Sequence, residues 1–542
     1  MAGGGLMQLV AYGAQDVYLT GKPEITFFKA VYKRHTNFAI ECIPQTFLGN
    51  PGSGKTVSCP LTRNGDLVTN MVLKCDISGT AGAQGTIPGD YSNWAWCDNV
   101  GYALIDNVEL EIGGSKIDRH YGDFMYVWHS LTNDGAHDKA HNTMIGHTKA
   151  MRTFDRTDHA DTLYVPLQFF CCRNDGLALP LIALQYHDVR LNFTFSKLAN
   201  LVNYVGVTPT DLTLENVELL VDYVFLDTDE RKRFAQSSHE YLIEQVQFTG
   251  DETVKGTNEN IKLNFNHPCK ALIWYVRPDT HTSDKAWLGF NALSDEKGLE
   301  QTTKLKIIQD GHGQVTTGMV TAGHATMKSF RSAYAGNDST LLDHQYKSDA
   351  AGTLSMVKVS GIDSTAINVN TAYVEGAAGF DSISILDWDD FVLTNPTVLN
   401  EEAVAATINA DLKKFAYYIK QPLRFGGRLL GGGNVVDKAL LQLNGQERFK
   451  EMSGKYFTGI QPYQHFPNRA PEGVNVYSFA LNPAEHQPSG SCNFSRIDNA
   501  QLVLTLDNNI IKADAQGTLK VYAVNYNVLR IMSGMGGLAY SN

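Results

Sequence analysis

The sequence predicts an all-β protein made of two similar antiparallel sandwiches or barrels, joined by a short charged helix. Three observations carry this prediction. Short runs in which apolar and polar residues alternate recur along most of the chain, the period of strands with one buried face. Glycine is abundant, at 48 of 542 residues, while only 19% of residues are charged, a balance that suits turn-rich β structure better than helices. Blocks of the first half also recur in the same order about 310–330 residues later, as after a duplication. A chain this long exceeds the roughly 250–300 residues that one core supports.

Taken in order, the chain opens with MAGGGLMQLVAYGAQD, which has no basic stretch followed by a sustained apolar core and therefore reads as a surface-seeking arm (1–25) rather than a secretory signal. The first sandwich is expected over 26–226. Ile25 to Phe47 should give a turn of helix and then a strand. GNPGSGKT, Gly49 to Thr56, fits the phosphate-loop pattern at Gly49, Gly54, Lys55 and Thr56. A working phosphate loop needs a helix after the lysine, so that backbone N–H groups converge on the phosphates. Pro60 would break such a helix in its first turns, and Asn64-Gly65 signals a hairpin turn between two β-like runs. The octet is therefore read as a loop before a strand, a chance match.

Val108, Leu110 and Ile112 alternate with Glu109 and Glu111 ahead of a Gly113-Gly114 hairpin, and a helix is expected around Asp123 to Leu131. His120, His129, His137, His141, His147 and His159 follow closely. His137 and His141 have the i, i+4 spacing of helical metal ligands, but no HExxH frame or cysteine partner accompanies them, so a solvated loop is expected and no metal site. Val189, Leu191, Phe193 and Phe195 then share one face of a strand.

Residues 215–250 hold the two halves together. Val217, Leu219, Val221, Tyr223 and Phe225 form an apolar face, and Asp227 with Glu230 begins a capped helix whose acidic start and basic Arg231, Lys232 and Arg233 suit the helix dipole. This helical hinge spans 227–240. The second sandwich is expected over 241–527, with a tail at 528–542. LNFNHPCKALIWYVRPD (263–279) is a strong strand with Pro268 at an edge or bulge. A Gly, Ala, Ser and Thr-rich insertion at about 280–415 reads as an elaborated external loop, a cheap kind of addition. It carries Asn337 in an N-D-S sequon, a possible glycosylation site; Asn192 and Asn493 also sit in sequons, but within predicted strands. Ala439 to Phe457 then repeats the strand, Asn444-Gly445 turn, strand and helix of Val108 to Trp128, and 476–506 repeats 164–195.

The net charge of −12, with no basic arm or stripe, argues against direct nucleic-acid binding. No apolar run approaches the roughly 18 residues needed to span a bilayer. Eight cysteines without CxxC spacing read as reduced, mostly buried thiols. Among eight-stranded Greek-key folds, the jelly roll serves capsids, lectins and cupins. Cupin chemistry needs metal-ligating histidines on adjacent strands. A lectin would expose aromatics in a loop-built groove, for which Trp274, Trp287 and Trp388 are candidates, although core packing is the commoner role. No catalytic residue and no cofactor are expected.

Five blocks carry a family resemblance: GGGLMQLVAYGAQDVYLTGKPEITFFKAVYKRHTNF (3–38), RNGDL (63–67), LDTDERKRFAQSSHEYLIEQVQFTG (226–250), LNFNHPCKALIWYV (263–276) and VNVYSFALNPAEHQPSGSCNFSRIDN (474–499). In them the chain resembles the major capsid proteins of nucleocytoplasmic large DNA viruses. The resemblance implies two consecutive eight-stranded antiparallel jelly rolls, a double jelly roll, with short helices and long surface loops. It further implies a homotrimer forming a pseudo-hexagonal capsomer, and an icosahedral shell assembled in the host cytoplasm over an internal membrane. Capsomer-to-capsomer contacts, minor capsid proteins and penton proteins would be the partners. The arm would lie on the inner side, and the large loops would face outward.

Overall fold

Alternation in the sequence becomes sandwich geometry in the first half of the computed structural model. The described residues are 3–82, 93–133, 135–152, 157–205, 208–279, 288–290, separate short strands between 303 and 429, 434–507, 511 and 516–540. Strands β1 (Phe38–Gln45), β2 (Thr56–Pro60), β3 (Leu67–Thr80), β4 (Ile105–Ile112), β5 (Ser115–Tyr121), β6 (His159–Pro166), β7 (Val189–Phe195) and β8 (Thr210–Leu226) form two facing antiparallel sheets, ordered β1-β8-β3-β6 and β2-β7-β4-β5. Leu73, Cys75 and Ile77 of β3 meet Val108, Leu110 and Ile112 of β4 and Leu191 and Phe193 of β7 in one buried core.

The second half repeats this order. Strands β9 (His239–Phe248), β10 (Asn258–Lys262), β11 (Pro268–Pro278), β12 (Val436–Leu443), β13 (Gln446–Glu447), β14 (Asn475–Ser478), β15 (Ala500–Leu506) and β16 (Gly517–Met532) give sheets β9-β16-β11-β14 and β10-β15-β12-β13. Subtracting eight from each label reproduces the first roll. Its core is likewise separate, with Leu272, Trp274 and Val276 facing Leu502, Leu504 and Leu441. The β4–β5 and β12–β13 hairpins also turn alike. Gly113 and Gly114 lie at φ 59° and 79°, and Asn444 and Gly445 at 49° and 79°, the paired left-handed residues that a tight two-residue hairpin requires. The fold is a double jelly roll.

Several local expectations need correction. Residues 26–37 form no helix before β1; the arm instead holds two short helices, Gly4–Val10 and Val17–Thr20. Asn64-Gly65 does not close a hairpin, because β2 and β3 belong to opposite sheets. Gly65 lets the crossing chain pass over the Tyr223 ring, where an added Cβ would lie 2.8 Å from that residue's own Cβ. At the other end β16 runs through 527 to Met532, and Met535–Leu538 folds back to pair with it, so the expected tail is part of a sheet. Asn337, Trp287 and Trp388 lie outside the described residues.

Helix α1 (Gly122–Thr132) follows the β4–β5 hairpin and lies between the rolls. Its first residue has no room for a side chain: a Cβ on Gly122 would sit 2.1 Å from the carbonyl oxygen of Tyr102 and 2.3 Å from that of Ile105. Both obstacles are backbone. Gly122→Ala is therefore expected to destabilise the protein by about 1–3 kcal/mol through overpacking, read as a lower urea midpoint. Gly537→Ala, which meets nothing within 4 Å, should leave the midpoint in place.

The charged hinge helix α2 (Thr228–Gln236) has no buried residue, and its N-cap Asp227 accepts a hydrogen bond from the Thr228 N–H at 2.8 Å. Arg231 ties it back to the first roll through Nε and Asp66 Oδ1, 2.8 Å apart.

Candidate functional site

No catalytic constellation emerges from the described residues; what the sequence builds with most care is the seam between the rolls. Phe124, Val127, Trp128 and Leu131 of α1 pack against Ala271, Ile273 and Tyr275 of β11, Val476 of β14 with Val474 just before it, and Tyr522 and Val524 of β16. The apolar face of a first-roll helix thus completes a core on the outer face of a second-roll sheet. Phe124 stacks on Trp128 at 5.9 Å, and Phe466 meets Trp128 edge-on at 6.3 Å.

Two ionic clusters close this seam. At one end of α1, Asp123 Oδ2 accepts from the Tyr275 hydroxyl at 2.5 Å and from Lys520 Nζ at 2.7 Å, while Oδ1 accepts from the Tyr522 hydroxyl at 2.9 Å. Burial alone would raise the Asp123 pKa, but Lys520 and the tyrosine hydroxyl outweigh it and hold the carboxyl at about 2. At the other end, Glu244 of β9 accepts from Lys270 Nζ at 2.5 Å and from Arg173 Nη1 at 3.0 Å. Burial again opposes ionisation, and His486, Lys270 and Arg173 together bring the Glu244 carboxyl down to about 2. Both cations also lie over the Trp128 ring, Arg173 at 4.8 Å and Lys270 at 5.3 Å from its centroid. The seam therefore joins apolar contact, cation–π contact and buried ion pairs around one tryptophan.

Sequence reasoning did not single out Asp123, Arg173, Glu244 or Lys270. A signal was present at Lys270, which interrupts PCKALIWYV, a run otherwise apolar enough to be buried; Glu244 stood beside Gln245 and Gln247 in YLIEQVQF and gave none.

The residues that were singled out have structural roles or none visible. Lys55 is followed by strand β2, not a helix, and the octet's N–H groups are taken up by the protein, Lys55 N–H donating to Gly52 O within the octet at 3.2 Å and Gly54 N–H to Ser196 O just beyond β7 at 3.2 Å. Trp274 is buried in the second core, edge-on to Phe457. The expected solvated histidine loop is not what forms. Residues 138–144 make a helix that folds back toward α1 and β6, which buries His141, while His120 and His159 are buried among the strands. His120 stacks on Phe169 at 4.5 Å, and His159 meets the Trp94 ring at 4.7 Å. Among the described residues, no group of three or more His, Cys, Asp or Glu side chains is placed to hold a metal ion.

Other surfaces are left uncovered. In the arm and the segment between it and β1, Leu6, Leu9, Tyr18, Phe27, Phe28 and Tyr32 are each more than two-thirds exposed, 71–98%. Strand β1, at a sheet edge, shows Phe38 and Ile40 to solvent as well. Exposed apolar side chains in such a continuous stretch mark a surface built for contact.

Known proteins share this arrangement. The family described as "Large eukaryotic DNA virus major capsid protein" matches residues 230–537, and that described as "Major capsid protein N-terminus" matches 26–227. The chain belongs to the major capsid proteins of large eukaryotic DNA viruses. Like other members of that family it is a structural protein of the virion shell, not an enzyme. It is 42% identical to the major capsid protein of Phaeocystis pouchetii virus, over 99% of this chain and all of that one. Capsid protein 1 of Acanthamoeba polyphaga mimivirus is 39% identical over 99% of this chain and all of its own length. A solved structure of the PBCV-1 virus capsid superposes with a TM-score of 0.62 at 32% identity, covering 95% of this chain and 100% of that one.

Proposed function

We propose that three copies of this capsid protein form a pseudo-hexagonal capsomer, and that these capsomers tile an icosahedral shell. The observation that carries this reading is the repeated strand order, locked at a fixed seam inside one chain. Two like rolls in a rigid pair give a trimer six similar flanks, and closed symmetry with many weak contacts then supplies shell stability. The solved PBCV-1 capsid, built on a chain of the same fold, supports it.

In this assembly the arm (1–25) and the first roll (26–226) lead through the hinge (227–240) to the second roll, whose insertion at about 280–415 faces outward. Minor capsid and penton proteins cover the remaining edges. The shell encloses an internal membrane, which is consistent with a subunit charge of −12 and no basic arm for packaged nucleic acid.

Light scattering on the purified chain tests the trimer. The 59.7 kDa subunit should give a mass of 3 × 59.7, or about 179 kDa, and the same peak should show hexagonal outlines by negative stain. A stable 59.7 kDa species at micromolar concentration would refute self-assembly into a capsomer.

A further inference from the structure

A cavity of about 730 Å³ separates the helical layer of the first roll from residues 455–473 of the second, and His129, His141 and His147 line it. His129 projects from α1 and His141 from helix Asp138–Met144. Their rings stack nearly parallel, 3.5 Å between centroids and 14° between planes. Tyr102 Oη lies 2.9 Å from His141 Nε2, and His147 Nδ1 lies 2.6 Å from Asp98 Oδ1 at the cavity edge.

We propose that the His129–His141 stack is an acid-sensitive latch between two helices of the first roll, at the cavity that faces the second: it holds while both rings are neutral, and a proton on either ring parts the two helices and opens the cavity. Two neutral imidazoles can share a face at this distance; adding a charge to a ring that is shielded from water and stacked on its neighbour costs both solvation and repulsion. The Tyr102 contact points the same way. With the hydroxyl donating, Nε2 is the acceptor, and a proton at Nε2 removes that role.

The surrounding charges do not reverse the balance. From α1 the titratable groups at this face are His129 and Tyr126, with Ser130 beside them. Helix Asp138–Met144 offers Asp138, which already accepts from the Asn133 side-chain amide. Asp98 pairs with His147 on the connection before Val100. The second roll presents Lys455, Arg469 and Glu472, two cations against one anion.

The sign of the pH effect follows from these surroundings. Burial, then His129 and His147, lower the His141 pKa to about 3 in the folded protein, against 6.5 ordinarily; burial also lowers that of His129, with Asp138 opposing. A base whose folded pKa is depressed contributes full stability above its unfolded value and loses it as the pH falls. For His141 the loss begins near pH 6.5 and continues toward 3, reaching roughly 30-fold in the folding equilibrium at pH 5.

Hydrogen exchange on the full-length protein, corrected for intrinsic rates, tests the latch at pH 7.5 and 5.0. Residues 138–144 and 455–473 should exchange at least about tenfold faster at the lower pH, in keeping with that linkage. In His141→Gln, which cannot charge but keeps an acceptor for Tyr102, the acceleration should largely vanish. An equal acceleration in the variant overturns the proposal. So does a wild-type response confined to the neighbourhoods of His120, His159 or His486, and this second criterion stands even if the variant fails to fold.

Discussion

Trp128→Ala should be the most damaging single truncation at the seam. The ring is 2% exposed, stacks on Phe124, meets Phe466 edge-on, and lies beneath Arg173 and Lys270. Removing a buried tryptophan from a packed site costs about 3–5 kcal/mol through lost transfer energy and the cavity left behind. Here the cavity would open between two structural units, since α1 belongs by chain order to the first roll while its partners Ile273, Val476 and Val524 belong to the second. Each roll keeps its own core, so the expected phenotype is uncoupling before collapse: denaturant unfolding should change from one transition to two, and trypsin should cut the hinge at Arg231, Lys232 or Arg233. Capsomer formation should fail at concentrations where the wild type assembles. An unchanged midpoint and an intact hinge under trypsin would show that the rolls do not depend on this helix for their relative placement.

Much of the fold was legible because strand periodicity is local. The alternation of Val189, Leu191, Phe193 and Phe195 appears in β7 as one fully buried face, and the two glycines after Ile112 appear as a left-handed hairpin. What sequence pattern does not show is which sheet a strand joins. Asn64-Gly65 has hairpin chemistry, yet β2 and β3 separate into opposite sheets because their pairing partners, β7 and β8, lie more than a hundred residues downstream. The histidines were misread for a related reason. A short polar helix such as DKAHNTM gives no sign of the surface it will meet, and His141 is buried only because α1 and β6 already stand where it folds. The seam's ion pairs were the hardest to see. Glu244 and Lys270 lie 26 residues apart on strands that do not pair with each other, each bonded to β16, so no periodicity links them.

The Glu244 cluster also makes a prediction of its own. Lys270 is fully buried and Arg173 partly so, and both pair with the Glu244 carboxylate. Deleting one member of a buried ion pair strands the others, at a cost of about 3–5 kcal/mol. Glu244→Ala is expected to fall in that range. Lys270 can recover part of the loss by giving up its proton, because burial already lowers its pKa to about 8 even with Glu244 present. Without Glu244 that pKa falls further, so the variant's deficit should shrink as the pH rises toward 8 and level off above it. In the wild type the carboxyl titrates at about 2 when folded and near 4.5 otherwise, so its contribution is complete above pH 4.5 and drains away as the pH falls toward 2. Glu244→Gln should flatten the acid limb of the stability profile below pH 4.5 and leave the region from 6.5 to 4.5 to the histidines. Adding Lys270→Met to Glu244→Gln removes the stranded ammonium while the glutamine oxygen can still accept from Arg173, and should restore at least half of what Glu244→Gln loses. If the double variant is no more stable than Glu244→Gln alone, the buried lysine is not what the carboxylate compensates, and the seam's polar cluster acts through packing on Trp128 instead.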